Sequence, residues 1–219
     1  MSFPKPNELF YNDNGKIIKF WTDPKQAEMR VKRAECNTEA MPSNVERSGH
    51  FLIHDFAKGD IVYNQYTPEV FEKMLHWCET VLWTPAPGDV SDVDTFNICK
   101  KFYHDKTMER LEQFRVKYAD WSEPCVVNGR EVLTIDQYLE QIDFGWLCTE
   151  VSWKFIHGDL HFDNTIYDKG QYIGSLTAFD ETKHTQLDQF TAIDWRTDFG
   201  GSLFGDQYYD LAKMLGGLH

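Results

Sequence analysis

The sequence predicts an α+β fold, and three observations lead there. β-rich runs flank an Asn-Gly turn near the amino end, the middle carries helix-forming stretches with capping signals, and the last third returns to short apolar strands joined by polar loops. Of the 219 residues, 42% are hydrophobic and 15% aromatic, which supplies a core and excludes a disordered chain.

The elements follow in order. In residues 8–21, Leu9-Phe10-Tyr11 and Ile17-Ile18-Lys19-Phe20-Trp21 flank Asn14-Gly15, a strong hairpin signal. Pro24 opens a helix to about Asn37, rich in Ala, Glu, Lys and Arg. The polar stretch 42–46 carries no element signal. Phe51 to Phe56 reads as a strand, and a turn at 57–60 leads to Ile61-Val62-Tyr63. Thr67-Pro68-Glu69 starts a helix through Leu82, with Val70, Phe71, Met74, Leu75, Trp77 and Cys78 at helical spacing. Pro85-Ala86-Pro87-Gly88-Asp89 breaks the chain, and one or two amphipathic helices follow over 93–118. A second Asn-Gly turn, Asn128-Gly129, precedes a helix over 134–148. Short strands are expected at 154–156, 164–167, 172–174 and 189–193, and a final helix at 205–215.

The 35 acidic against 22 basic side chains give a net charge of −13, which repels nucleic-acid backbones and anionic membrane surfaces and excludes both as partners. Five scattered cysteines without a C-x-x-C pair suggest neither a zinc knuckle nor a disulfide framework and fit reduced thiols. The amino terminus lacks the layout of a secretory signal, and no apolar run reaches the roughly 20 residues that span a bilayer. A cytoplasmic protein is expected.

The chemistry concentrates in His157-Gly158-Asp159-Leu160-His161-Phe162-Asp163-Asn164, followed by Ile193-Asp194-Trp195. By itself His157-Gly158-Asp159 is also an ordinary polar turn. Phosphoryl transfer requires a carboxylate to orient the acceptor hydroxyl and oxygen ligands for the Mg²⁺ ions that neutralise the phosphate charge. A loop between two strands lets Asp159 and Asn164 face one cleft, with Asp194 entering from the next strand.

His-Gly-Asp-Leu-His-x-x-Asn, then Ile-Asp-Trp, then Asp206-x-x-Tyr209-Asp210-Leu211-Ala212-Lys213 resembles the aminoglycoside phosphotransferase and choline kinase branch of the kinase-like superfamily, over residues 156–213. The resemblance implies a two-lobed protein kinase-like fold, with a reduced amino-terminal lobe over 1–64 and a mostly helical catalytic lobe over 65–219. It makes Asp159 the catalytic base, Asn164 and Asp194 the Mg²⁺ ligands, and Asp210 the brace of the catalytic loop, with His157 a structural loop residue. Lys19 resembles the lysine that contacts ATP phosphates, and Glu35 or Glu28 its ion-pair partner. The backbone of Asp55, Phe56 and Ala57 resembles the linker that binds adenine. No glycine-rich sequence precedes the hairpin, so the strands that cover the phosphates are shortened or absent. Residues 168–189 read as an inserted hairpin, with Asp180 as a competing metal ligand. Asp198-Phe199-Gly200 spells the protein-kinase metal triplet but lies four residues past Asp194, and reads as loop sequence from which Asp198 can still approach the metal.

The expected function is therefore an ATP- and Mg²⁺-dependent phosphotransferase acting on a hydroxyl of a small molecule, a sugar or an amino alcohol. Similarity of the wording to kinase-like proteins found with capsule or surface-polysaccharide genes favours a sugar-type acceptor. Two other classes are open. A nucleotide-binding pseudokinase is suggested by the missing glycine loop and short carboxyl end. A metal-dependent hydrolase would use His157, Asp159 and His161 as ligands from alternating strand positions.

Overall fold

A computed structural model describes residues 8–88, 90–118, 125–170 and 188–216. The expected strand at 172–174 and the competing ligand Asp180 lie outside the described residues, as does most of the expected inserted hairpin. The fold is α+β with small antiparallel sheets.

β1 (Glu8–Asp13) and β2 (Lys16–Trp21) form the expected hairpin, in which Asn14 and Gly15 both take the left-handed backbone that a two-residue turn of this type requires. Along β2, Ile17, Lys19 and Trp21 are buried and the residues between them are only partly so. This period of two turns Lys19 inward. α1 (Pro24–Glu35) starts at Asp23, whose carboxylate accepts from the Lys25 N–H, and it packs Ala27 and Ala34 into the core.

The polar stretch hides β3 (Glu46–Ser48), an edge strand that pairs with β4 (Phe51–Asp55) and completes a sheet of order β1-β2-β4-β3. Its three residues are all exposed, so no apolar alternation marked it. The expected Ile61-Val62-Tyr63 segment is divided between β5 (Asp60–Ile61) and a 3₁₀ turn over Val62–Gln65.

α2 (Pro68–Trp77) is capped by the Thr67 hydroxyl, which accepts from Val70 N–H. It continues as a π-helical segment over Cys78–Leu82. The 93–118 region is one helical rod: α3 (Asp92–Lys100), a π-helical segment at Lys101–Asp105, and α4 (Lys106–Lys117). π-segments collect at functional sites because they shift the register of the following side chains. Here the shift precedes Lys106 and Arg110.

β6 (Cys125–Val127) and β7 (Arg130–Val132) form a hairpin around Asn128-Gly129. The expected helix over 134–148 is two helices, α5 (Ile135–Glu140) and α6 (Phe144–Thr149). The break has a local cause: the Asp143 carboxylate caps a fresh start by accepting from Trp146 N–H, as the Thr134 and Gln137 capping box does for α5.

β8 (Trp153–Lys154) is shorter than the expected strand, because Phe155 and Ile156 leave it to enter the core. β9 (Thr165–Asp168) pairs with β10 (Gln189–Ala192) and with β5. β11 (Gly205–Asp206) pairs with β8 and leads into α7 (Gln207–Gly216). Among the described residues no helix is long and apolar enough to cross a membrane. Cys36, Cys78, Cys99 and Cys148 are free thiols.

Candidate active site

The loop between β8 and β9 is held from behind by buried polar groups. Both Asp210 oxygens accept backbone hydrogen bonds at 2.7 Å, one from His157 N–H and the other from Gly158 N–H. The Trp83 indole adds a third at 3.2 Å. Burial pushes the Asp210 carboxyl up to about 6, against the pull of these donors and of Arg33. The fully buried Arg33 of α1 donates to Ile156 C=O at 2.6 Å and to Arg196 C=O at 3.2 Å. It ties the segments on either side of the loop to one helix.

His157 is also fully buried, and both of its ring nitrogens are engaged. Nε2 lies 2.7 Å from Ile193 C=O, and Nδ1 accepts from Asp159 N–H at 3.2 Å. Burial lowers its pKa to about 3, so the ring is neutral, with Nε2–H donating to the carbonyl. Gly158 sits at φ +82°, and a Cβ there would lie 3.0 Å from the Arg196 side chain. Both conformation and space demand glycine.

Asp159 emerges from this scaffold half-buried. One carboxylate oxygen pairs with Lys213 Nζ of α7 at 2.8 Å, and the other lies 3.8 Å from His161 Nε2. Burial would raise its carboxyl, but His161 and Lys213 outweigh it and hold the group well below the usual carboxylate range. It is therefore ionised, an acceptor for a hydroxyl. Asn164 donates from Nδ2 to Asp159 C=O at 2.9 Å and sits 3.0 Å from His161 Nε2. With its nitrogen so used, its Oδ1 is the atom left to meet a cation.

Asp194 follows β10 with φ +59°, a left-handed conformation uncommon for a residue bearing a Cβ and stored most often at functional sites. The neighbours fix it there. Ile193 N–H donates to Asn164 C=O at 2.9 Å, Trp195 is buried and donates to Arg30 C=O, and Arg196 N–H donates to His157 C=O. Asp194 in turn makes an ion pair with Lys19 of β2. Lys19 is 7% exposed at its side chain, so the sheet delivers a buried cation to the carboxylate.

Asp159, Asn164 and Asp194 line one cleft of about 570 Å³. Gln26 and Arg30 of α1 and Lys106 and Arg110 of α4 form other parts of its wall. Arg196 and Asp198 also line it. The Asp198-Phe199-Gly200 triplet lies in a loop, as expected, and Asp198 reaches the cleft, where it accepts from Thr197 Oγ1 and Gly201 N–H, while Phe199 stacks on Phe102 at 3.9 Å.

Several expected residues are placed elsewhere. Lys19, expected to pair with Glu35 or Glu28, makes its ion pair with Asp194. Glu35 is exposed at the end of α1, and Glu28 pairs with Lys32 and Arg47. Asp194 replaces them because β2 places Lys19 on the face turned toward the β10 end. Asp55, Phe56 and Ala57 do not line the cleft. The N–H groups of Asp55 and Phe56 are already committed to Ser43 C=O and Gly15 C=O, at 2.9 and 2.8 Å, and the Asp55 carboxylate to Lys16 and Asn44. The expected adenine contacts through those two donors are therefore corrected.

The hydrolase ligand set is corrected as well, because His157 has no nitrogen to give. Among the described residues no three His, Cys, Asp or Glu side chains converge as a metal cluster. An all-oxygen pair, Asp194 Oδ and Asn164 Oδ1, instead fits Mg²⁺, which takes one or two protein oxygens together with substrate phosphates. Sequence reasoning assigned no role to Lys213, Arg33, Lys106, Arg110 or Arg196. Lys213 was within reach as a cation one helical turn after Asp210 in the quoted motif; the others carry no local signal. No protein-family model matches this chain, and no curated protein matches it.

Proposed function

We propose that the protein is a small-molecule kinase of two-lobed, protein kinase-like fold, transferring the γ-phosphoryl group of ATP to an acceptor hydroxyl. The observation that carries this reading is the convergence of Asp159, Asn164 and Asp194 on one cleft, with Lys19 arriving at Asp194 from a separate sheet. Residues 1–64 would form the reduced amino-terminal lobe and 65–219 the catalytic lobe, and scattered free thiols suit a cytoplasmic setting.

In this reading each residue has a chemical task. Asp159, ionised and held by Lys213, accepts the hydrogen bond of the acceptor hydroxyl and aims its oxygen for in-line attack. Lys19 shifts from Asp194 toward the phosphate oxygens when nucleotide enters. Asn164 and Asp194 would hold Mg²⁺, which neutralises charge on the transferring group. Asp210, Arg33 and His157 keep the loop rigid so that these positions persist.

An ADP-release assay with Mg²⁺, ATP and a panel of sugars, amino alcohols and other hydroxyl compounds tests the reading. Acceptor-dependent ADP formation, lost in Asp159→Asn while nucleotide binding survives, supports it. Absence of nucleotide binding, or nucleotide binding without transfer to any acceptor, rejects it; the second result makes the protein a pseudokinase.

A further inference from the structure

In a chain of net charge −13, basic side chains are expected to find carboxylate partners. Three along the cleft do not. Among the described residues, Lys106, Arg110 and Arg196 take part in no side-chain ion pair, although all three line the cleft. Lys106 and Arg110 are one turn apart on α4, a like-charge spacing that weakens a helix.

Two of the three cations, Lys106 and Arg196, share one aromatic floor. Lys106 Nζ lies 4.6 Å from the centre of the Phe102 ring, and the Arg196 guanidinium lies 5.4 Å from the same ring and 5.7 Å from Tyr209. Rings hold cations without cancelling their charge, so the field remains available to a ligand. Burial, and then the neighbouring Arg196 and Arg110, lower the Lys106 pKa, while Asp198 opposes them. Repulsion from Arg196 and Arg110 thus adds to the cost of burial, and Asp198 offsets part of it.

We propose that this wall is the acceptor subsite, and that it selects an acceptor carrying an anionic group, a phosphate or a carboxylate, on the same molecule as the hydroxyl to be phosphorylated. The inference rests on the kinase reading above. A chain of net charge −13 can still hold an anion here because, among the charges that act on Lys106, the cations Arg196 and Arg110 outnumber the carboxylate Asp198. The anion docks on Arg110, Lys106 and Arg196, and the hydroxyl faces Asp159. Its oxygen forms the new bond to the γ-phosphorus as the bond from that phosphorus to the β,γ-bridging oxygen breaks. ADP departs with the bond pair, and the hydroxyl proton passes to Asp159 and on to solvent.

Anionic oxygens have two sources here, the acceptor and the nucleotide's own phosphates, and the experiment separates them. The first arm compares kcat/KM for matched acceptors, glycerol against glycerol 3-phosphate and glucose against glucose 6-phosphate or glucuronate, in wild type and in Arg110→Gln and Lys106→Met. A preference of tenfold or more for at least one anionic partner is expected. It falls at least fivefold in each variant through acceptor KM, with nucleotide Kd measured in parallel. A preference for the neutral partner in every pair overturns the proposal, and so does a loss that falls equally on nucleotide Kd.

The second arm needs no turnover: protection of Lys106 from amine modification by glycerol 3-phosphate, glucose 6-phosphate or glucuronate without nucleotide. Protection by at least one, weakened in Arg110→Gln, supports the subsite even if ATP is never consumed, in which case only the kinase reading falls. Protection by none overturns the subsite even if the protein proves to be a kinase.

Discussion

The buried brace of the 157–164 loop and the open cleft beside it use the same residue types and treat charge in opposite ways. In the brace, Asp210 and Arg33 are wholly buried, with short hydrogen bonds to backbone groups of the loop or of the segments that flank it. In the cleft, Asp159 and Asp194 are a third to nearly half exposed at their side chains, and Lys106, Arg110 and Arg196 lack carboxylate partners among the described residues. Buried charges that lose a partner are expensive, whereas exposed ones cost little to alter. The brace is thus placed to carry stability, and the cleft to carry the chemistry that we propose.

The sharpest way to break this division is Arg33→Met. It should lower unfolding free energy by about 3–5 kcal/mol, because one buried and one partly buried carbonyl lose their donor and Asp210 loses its nearby cation. A chemical-denaturation midpoint close to wild type would show that the brace is not what holds the loop. Asp159→Asn is the counterpart in the cleft, expected to slow transfer by about 10²–10⁴-fold while the melting temperature stays near wild type. A matching loss of stability would place Asp159 with the brace.

Lys19→Met sharpens the comparison at the junction. The pair couples a buried ammonium to an Asp194 carboxylate 45% exposed, so replacing the ammonium with an apolar chain should change stability by no more than about 1 kcal/mol. Calorimetry should meanwhile find Mg²⁺–nucleotide binding weakened about tenfold, roughly 1.4 kcal/mol.

The smallest effect is in the pH dependence of stability. The His157 pKa falls from 6.5 to about 3 on folding, so between those values the unfolded chain binds a proton that the fold refuses, and stability drops as pH falls. Asp210 rises from 3.8 to about 6, so over that interval the fold keeps a proton that the unfolded chain releases, and stability grows as pH falls. The two oppose each other between pH 6 and pH 4. In Asp210→Asn the second contribution vanishes, and acid destabilisation across that window should steepen by up to about 1.4 kcal/mol per pH unit. An unchanged slope in urea titrations at pH 4.5, 5.2 and 6 would mean that Asp210 does not titrate there.

Local chemistry made part of the molecule legible. Asn14-Gly15 and Asn128-Gly129 announced their hairpins because few other residues accept the backbone those turns require, and Thr67 announced α2 through its cap. The order of Asp159, Asn164 and Asp194 pointed to one cleft, and the geometry brings them to one. What escaped depends on distant contacts. Arg33 resembles any solvated arginine of a basic helix until Ile156 and Arg196 close over it, and the Asp194 partner of Lys19 lies 175 residues downstream. β3 exists because β4 offers it an edge, and Glu46-Arg47-Ser48 has no strand signature of its own. Lys106 and Arg110 sit some 50 residues from Asp159 and meet it only after a π-helical segment sets their direction.

The central claim, that this cleft moves a phosphoryl group to a hydroxyl, is tested most directly by ³¹P NMR of the protein with ATP, Mg²⁺ and an acceptor panel that includes phosphate- and carboxylate-bearing hydroxyl compounds. The account predicts a new phosphomonoester resonance that grows in step with ADP for at least one acceptor and is absent with Asp159→Asn. No new ester with any acceptor, or an ester that forms equally fast with Asp159→Asn, would contradict it.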